Sequence, residues 1–390
     1  MKKSLLALAA MGAFVGAAQA QSSVTVYGIY DGGYNGKSVD TKTSSTATAT
    51  TVSNSDFSGN QAASSRIGFR GTEDLGGGLS ATFNLEYGFE PGTGTLYTTT
   101  LPGVNGNSQA DGVRTSVVGL TSKDFGSLNI GRQLSGMHGI IAGNVFGGNN
   151  MIGDITYSSW TNSNAIAGRI SNQATRFNGV SFATNNIAGF TARVDYSANR
   201  GTGANTASST GQSYVNTDSR QTANQGIRVN YDYKMFGISA GQHKIISNSN
   251  VTTVAGTETT VTINAVQARY KDKGILFEVT YGNNKGDAPT AALANGQTYK
   301  NSALKYSASY QVTPQVMPFI QYGTGMSTAT VSVSAANTVN NNTGYQAGAM
   351  YSMSKRTNLY AVYGYQKSEN KTSTASVEGR EVGVGILHTF

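Results

Sequence analysis

Between Val24 and Phe390 the chain keeps returning to one unit. Stretches of about ten residues alternate apolar with polar side chains, and they are joined first by a short turn, then by a long tract of Gly, Asn, Ser and Thr. Phe190 to Ala198 sets Phe190, Ala192, Val194 and Tyr196 against Thr191, Arg193, Asp195 and Ser197. Gly226 to Tyr233 sets Ile227, Val229, Tyr231 and Tyr233 against Arg228, Asn230 and Asp232. Side chains of a strand point to opposite faces in turn, so period two means strands with two unlike faces. Charges on one face and rings and branched aliphatics on the other call for two different media. A sheet closed into a barrel, with hydrocarbon outside and water inside, provides both.

The first residues agree with export. Lys2 and Lys3 precede an apolar run from Leu5 to Val15, and Ala18-Gln19-Ala20 is a small-x-small cleavage signal. Residues 1–20 therefore read as a secretory leader, and residues 21–390 as a single barrel domain. The apolar run is too short to span a bilayer as a helix, and no later segment approaches about 20 apolar residues. Any membrane crossing is by strands.

Other functional classes find little support. There is no cysteine, hence no disulfide framework and no thiolate metal site. His138, His243 and His388 are far apart and lack metal-ligand spacing. No serine elbow is present, and Gly76-Gly77-Gly78 precedes no helix that could cradle a phosphate. No cofactor and no catalytic centre are expected. Removing Lys2 and Lys3 with the leader lowers the formal charge from +8 to +6, and that charge is scattered, which argues against a nucleic-acid partner. Tyr231, Tyr233, Tyr351, Tyr363 and Tyr365 share the apolar faces and suit the interfacial girdles of a membrane barrel.

Alternation predicts sixteen strands, near 24–34, 65–73, 79–89, 114–121, 127–133, 175–184, 190–198, 225–234, 237–246, 262–271, 275–283, 299–310, 315–323, 343–353, 358–366 and 380–390. Residues 36–60 and 90–111 read as polar loops. Short turns on one rim and long loops on the other give an all-β, antiparallel, up-and-down transmembrane barrel. The even count sets first and last strands side by side, so no edge is left for lipid to meet. One connection stands out: residues 134–174 contain Ile140, Ile141, Val145, Phe146, Met151, Ile152, Ile155 and Trp160, too apolar for a surface loop, so the segment must pack against something.

The mature start, Ser22-Ser23-Val24-Thr25-Val26-Tyr27-Gly28, resembles the opening of the neisserial and burkholderial general diffusion porins. So do Ser65-Arg66-Ile67-Gly68-Phe69-Arg70-Gly71-Thr72-Glu73-Asp74-Leu75-Gly76, Asn129-Ile130-Gly131-Arg132-Gln133 and the terminal Leu387-His388-Thr389-Phe390. This likeness covers essentially the whole mature chain. It implies an outer-membrane homotrimer, seated among lipid and lipopolysaccharide, that passes small ions and hydrophilic solutes. It also implies a third extracellular loop folded inward, which matches residues 134–174 in position. Arginines facing that loop in the family correspond to Arg66, Arg114 and Arg176. The final aromatic, Phe390, corresponds to the address read by the barrel-insertion machinery; packing at the rim is the plainer reading.

Strand phase bears on the charges. With Ile67 and Phe69 toward lipid, Arg66 and Arg70 face the lumen, as do Arg193, Arg228, Arg269 and Lys305 on their own strands. A lipid-facing Arg near the midplane would cost roughly 2–4 kcal/mol. Each arginine stands beside the solute path or is paired to a wall carboxylate such as Glu86, Asp195, Asp232 or Glu278. Arg114 fits less well, because Ser116, Val118 and Leu120 share its phase. Tyr27 and Asp31 fall on the lumen face as candidate solute contacts. Between residues 134 and 174 stand one carboxylate, Asp154, and two groups of the other kind, Arg169 and His138. An ion path lined by Arg66, Arg70, Arg114, Arg176 and Arg193, with Asp154 the lone acid opposite, is expected to lean toward anions.

Overall fold

The computed structural model describes residues 23–96, 112–142, 152–156, 176–198, 220–249, 257–290, 293–330 and 338–390. The leader, Arg169, Trp160 and residues 143–151 and 157–174 of the apolar connection lie outside them.

Sixteen strands form the wall: β1 (Ser23–Lys42), β2 (Arg66–Gly76), β3 (Leu79–Glu90), β4 (Val113–Ser122), β5 (Gly126–Leu134), β6 (Arg176–Ala183), β7 (Phe190–Ser197) and β8 (Arg220–Tyr233). They continue with β9 (Phe236–Ser249), β10 (Thr257–Asp272), β11 (Ile275–Thr290), β12 (Leu293–Tyr310), β13 (Val316–Thr330), β14 (Thr338–Ser352), β15 (Thr357–Asn370) and β16 (Ser376–Thr389). Each pairs antiparallel with the next, and β1 pairs with β16 from Ile29↔Thr389 to Lys42↔Ser376, which closes the barrel. Closure removes the unpaired backbone groups that hydrocarbon cannot satisfy.

Burial is inverted relative to a water-soluble fold. Val26, Phe83, Ile130, Val194, Ile227, Ile320 and Val384 are exposed, whereas Glu86, Asp195, Gln267, Gln321, Gln346 and Glu381, on the opposite parity, are buried. In a closed wall the exposed apolar parity points outward to lipid, and the polar parity points into the bore.

Residues 36–60, read from sequence as a polar loop, are corrected by the structure. Thr50–Gly59 forms a further strand on the upper half of β1, from Gly32↔Gly59 to Thr41↔Thr50, while β2 pairs with the lower half, from Ser23↔Thr72 to Ile29↔Arg66. Above the apolar band both faces of a hairpin meet water, so its Ser, Thr and Asn carry no apolar parity to betray it. Residues 60–65 leave the ladder between the two pieces, and Asn60 has φ 70°. Asp31 holds this bend: its carboxylate accepts hydrogen bonds from the backbone of Ala62 (2.7 Å) and Ala63 (2.9 Å) and from the Tyr360 hydroxyl (2.7 Å). Asp31 is fully buried, so it is a structural latch rather than a solute contact.

Pairing of the seam extends to the last residue. Phe390 and Gly28 exchange backbone hydrogen bonds of 3.0 and 3.1 Å, and the Phe390 ring occupies the space where a side chain at position 28 would stand. Gly28→Leu would collide with that ring and with the Arg66 carbonyl oxygen. Overpacking of this kind costs about 1–3 kcal/mol. The variant should unfold at a lower temperature in a heat-modifiability gel, and an unchanged transition would show that the ring has another seat.

Candidate functional site

The inner wall from β2 to β10 carries the arginines. Arg66 and Arg114 share one carboxylate: Arg114 Nε lies 2.8 Å from Glu86 Oε1, and Arg66 Nη1 lies 3.8 Å from the same oxygen. The phase conflict at Arg114 is resolved by a bulge. Thr115 sits opposite Glu86 and Val113 opposite Tyr87, so Arg114 is the extra residue of its strand. A bulge re-aims the side chain without altering the rest of the strand. Val118 and Leu120 stay exposed on the outer face while Arg114 is buried against Glu86.

Farther round the wall, Arg193 pairs with Asp195 (2.7 Å) and Arg269 with Asp232. Arg228 stands directly opposite Arg193 in the ladder and donates to Asn230 Oδ1 (2.7 Å) and to the Gly136 carbonyl (3.4 Å). Arg176 begins β6, where its Nε donates to the Arg114 carbonyl (2.7 Å). The paired alternative therefore holds for Arg66, Arg114, Arg193 and Arg269. Arg70 differs: it is exposed, its guanidinium lies 5.1 Å from the Tyr27 ring centroid, and among the described residues it forms no ion pair.

The described pieces of the apolar connection touch this same face. A short helix, α1 (His138–Ile141), buries Ile140 and Ile141 with Met137, Ile155, Ile245, Val261, Ile263, Ala265 and Ala303 in one cluster. Gly136 donates its N–H to Asp195 Oδ2 (2.6 Å). Ile152 donates its N–H to Glu381 Oε2 (2.7 Å) and accepts from Gln346 Nε2 (3.1 Å). These contacts run across β7, β9, β10, β12, β14 and β16 in turn. Small residues make room for them: a Cβ on Gly323 would stand 2.8 Å from Ile155, one on Gly344 would stand 2.6 Å from the Gly153 oxygen, and one on Gly364 would strike the Ile152 oxygen.

Asp154, expected on the ion path, is corrected. It is fully buried, as is Lys305, and Lys305 Nζ lies 3.2 Å from its Oδ2. Asp154 also accepts from the Thr156 hydroxyl (2.6 Å) and backbone (3.0 Å). Neither member of the pair can touch a passing ion; together they tie the connection to β12. His138, on α1, is held down to about 3 by burial first, then by the charges of Arg176, Arg114, Arg66 and Arg228. It stays neutral near pH 7 and adds nothing to the positive wall.

The sequence profile of the Gram-negative porins matches residues 7–371. The chain belongs to that family. An outer membrane porin protein of Bordetella pertussis is 30% identical to this porin, with both chains covered in full. The major outer membrane protein P.IB of Neisseria meningitidis serogroup B is 27% identical over the whole of both chains. Among solved structures, an anion-selective porin from Comamonas acidovorans superposes with a TM-score of 0.64, covering 95% of this chain and all of that one at 23% identity. The porin resides in the outer membrane as a multi-strand barrel and serves as a diffusion channel.

Three contacts of the porin's inner wall have no local mark in the sequence. Lys305 was placed on the lumen face but not as the partner of Asp154. Glu381 and Gln346, which hold Ile152, were not singled out, although both fall on the polar parity of their strands. Glycines on that parity, at 323, 344 and 364, are the available signal: a missing side chain on a strand marks a close approach.

Proposed function

We propose that the porin leans toward anions, and that residues 134–174 fold across its bore to form the constriction. The observation that carries the charge reading is the excess of guanidinium over carboxylate on the inner wall: Arg66 and Arg114 divide one Glu86, and Arg70 has no described acid beside it. Permanent positive charge in a narrow path with low-dielectric walls raises the local anion concentration. Burial of Asp154 removes the one acid of the segment from that path. The anion selectivity of the Comamonas porin is in keeping with this reading.

The same reading includes a homotrimer, as in the trimer form of a Vibrio cholerae outer membrane protein of similar fold, at 17% identity and a TM-score of 0.59. It takes residues 1–20 as an export leader and Phe390 as the address for the insertion machinery. Lipid and lipopolysaccharide are its surroundings. Transport is passive, through sieving and electrostatic bias, with no catalytic step.

Reversal potentials across planar bilayers in a KCl gradient test the sign. The expected result is a chloride-side shift that weakens as salt rises and the Debye length falls below about 10 Å. A potassium preference at every salt concentration would overturn it.

A further inference from the structure

The motif from Ser65 to Gly76 carries two inward arginines with one glycine between them, and the structure gives them opposite fates. Gly68 is the register partner of Tyr27, and the Tyr27 ring lies where a side chain at position 68 would be. Seated there, the ring separates the arginines. Its hydroxyl donates to Asn84 Oδ1 (2.8 Å) and reaches Glu86 Oε2 (3.2 Å), the carboxylate that neutralises Arg66, while its face supports Arg70. A guanidinium held against a ring keeps its charge and its donor edge.

Arg70 projects into a recess of about 420 Å³. Two adjacent rows of the ladder build it: Thr25–Arg70–Asn84 in one, Thr72–Thr82 in the other, the latter ending on Asn129. Gly119 completes the second row, and its missing Cβ leaves the space that the Asn129 amide fills. The lining holds hydroxyls, amides and one guanidinium, and it contains no Asp or Glu. Such a set matches an oxygen-rich anion: the guanidinium fork takes two oxygens, and hydroxyls and amides take the remainder. A halide has no such geometry to satisfy.

We infer that the recess around Arg70 is a binding station for small hydrophilic oxyanions, carboxylates or phosphates, on the short-turn side of the Arg66–Glu86–Arg114 cluster. This rests on the anion-leaning channel proposed above and names the solutes it favours.

Single-channel conductance of the purified porin decides it, measured against concentration in potassium chloride, potassium acetate and potassium phosphate. Conductance should stay linear in chloride and saturate in at least one of the two oxyanion salts, whichever saturates at lower concentration naming the preferred class. Arg70→Gln should raise the half-saturating concentration about tenfold or more, the worth of a charge-assisted bidentate contact. Arg70→Lys, which keeps the charge but loses the fork, should fall between them. Linear conductance in all three salts, or saturation unchanged in Arg70→Gln, overturns the station. Loss of chloride conductance in the wild type would instead sink the channel itself.

Discussion

Asp154→Asn should open the channel. The substitution removes the Asp154 charge from a fully buried Lys305, whose Nζ also lies 3.4 Å from the Ile141 carbonyl oxygen. Removing one partner from a buried ion pair costs up to about 3–5 kcal/mol. That is enough to move a tethered segment from almost always docked to mostly undocked. The barrel does not depend on the pair, because its ladder is continuous without residues 135–175. The expected phenotype is a larger single-channel conductance with normal heat-modifiable mobility on gels. Lys305→Met should behave alike. Combining the two removes both charges and should return conductance toward wild type, a coupling that a double-mutant cycle reads directly. Wild-type conductance in both single variants would show that Gly136, Ile152 and the α1 cluster hold the segment without the pair.

Glu86→Gln should strengthen anion preference. Its carboxylate is the only one in contact with Arg66 and Arg114 among the described residues, so the cluster goes from a formal +1 to +2. One unit charge about 6 Å from an ion in water is worth roughly 0.7 kcal/mol, or about threefold in local concentration. The anion-to-cation permeability ratio should rise by about that factor in dilute KCl and less in concentrated KCl. Glutamine keeps the size and an acceptor oxygen for Tyr27 and Arg114, and unchanged heat-modifiable mobility on gels separates the readout from the cost of breaking this buried pair. A ratio unchanged at low salt would remove this cluster from the ion path.

Much of the architecture could be read directly from period two, because a barrel between lipid and water forces that period on every membrane-crossing strand. Sixteen strands, their order and the short turns came from it. The exceptions have specific physical causes. Arg114 is set by a one-residue bulge, and a bulge has no compositional mark; only the clash with Val118 and Leu120 hinted at it. Thr50–Gly59 escaped because it stands where both its faces meet water. Asp154 looked like a pore acid because its partner lies 151 residues away, and the Asp31–Tyr360 bond spans 329. Contacts so distant in sequence leave no local pattern. Period two sets Arg66, Arg70 and Arg193 on the polar face, yet it does not tell which is neutralised: Arg66 meets Glu86 on the next strand, Arg193 meets Asp195 two residues along its own, and Arg70 meets neither.

The seam between β1 and β16 has a consequence for how the molecule is made. It brings together positions such as Asn35 and Glu381, 346 apart in the chain. Loop-closure entropy grows slowly with length, but no nearer contact can substitute for this one. Every other wall strand finds its partner next door, so an open, curled sheet should form first and wait for the two ends to meet. Until then two unzipped margins of backbone are available for mispairing with a neighbouring copy. Defects at Gly28 or Phe390 should therefore appear as slow maturation and clumping in the periplasm, while the channels that do mature conduct normally.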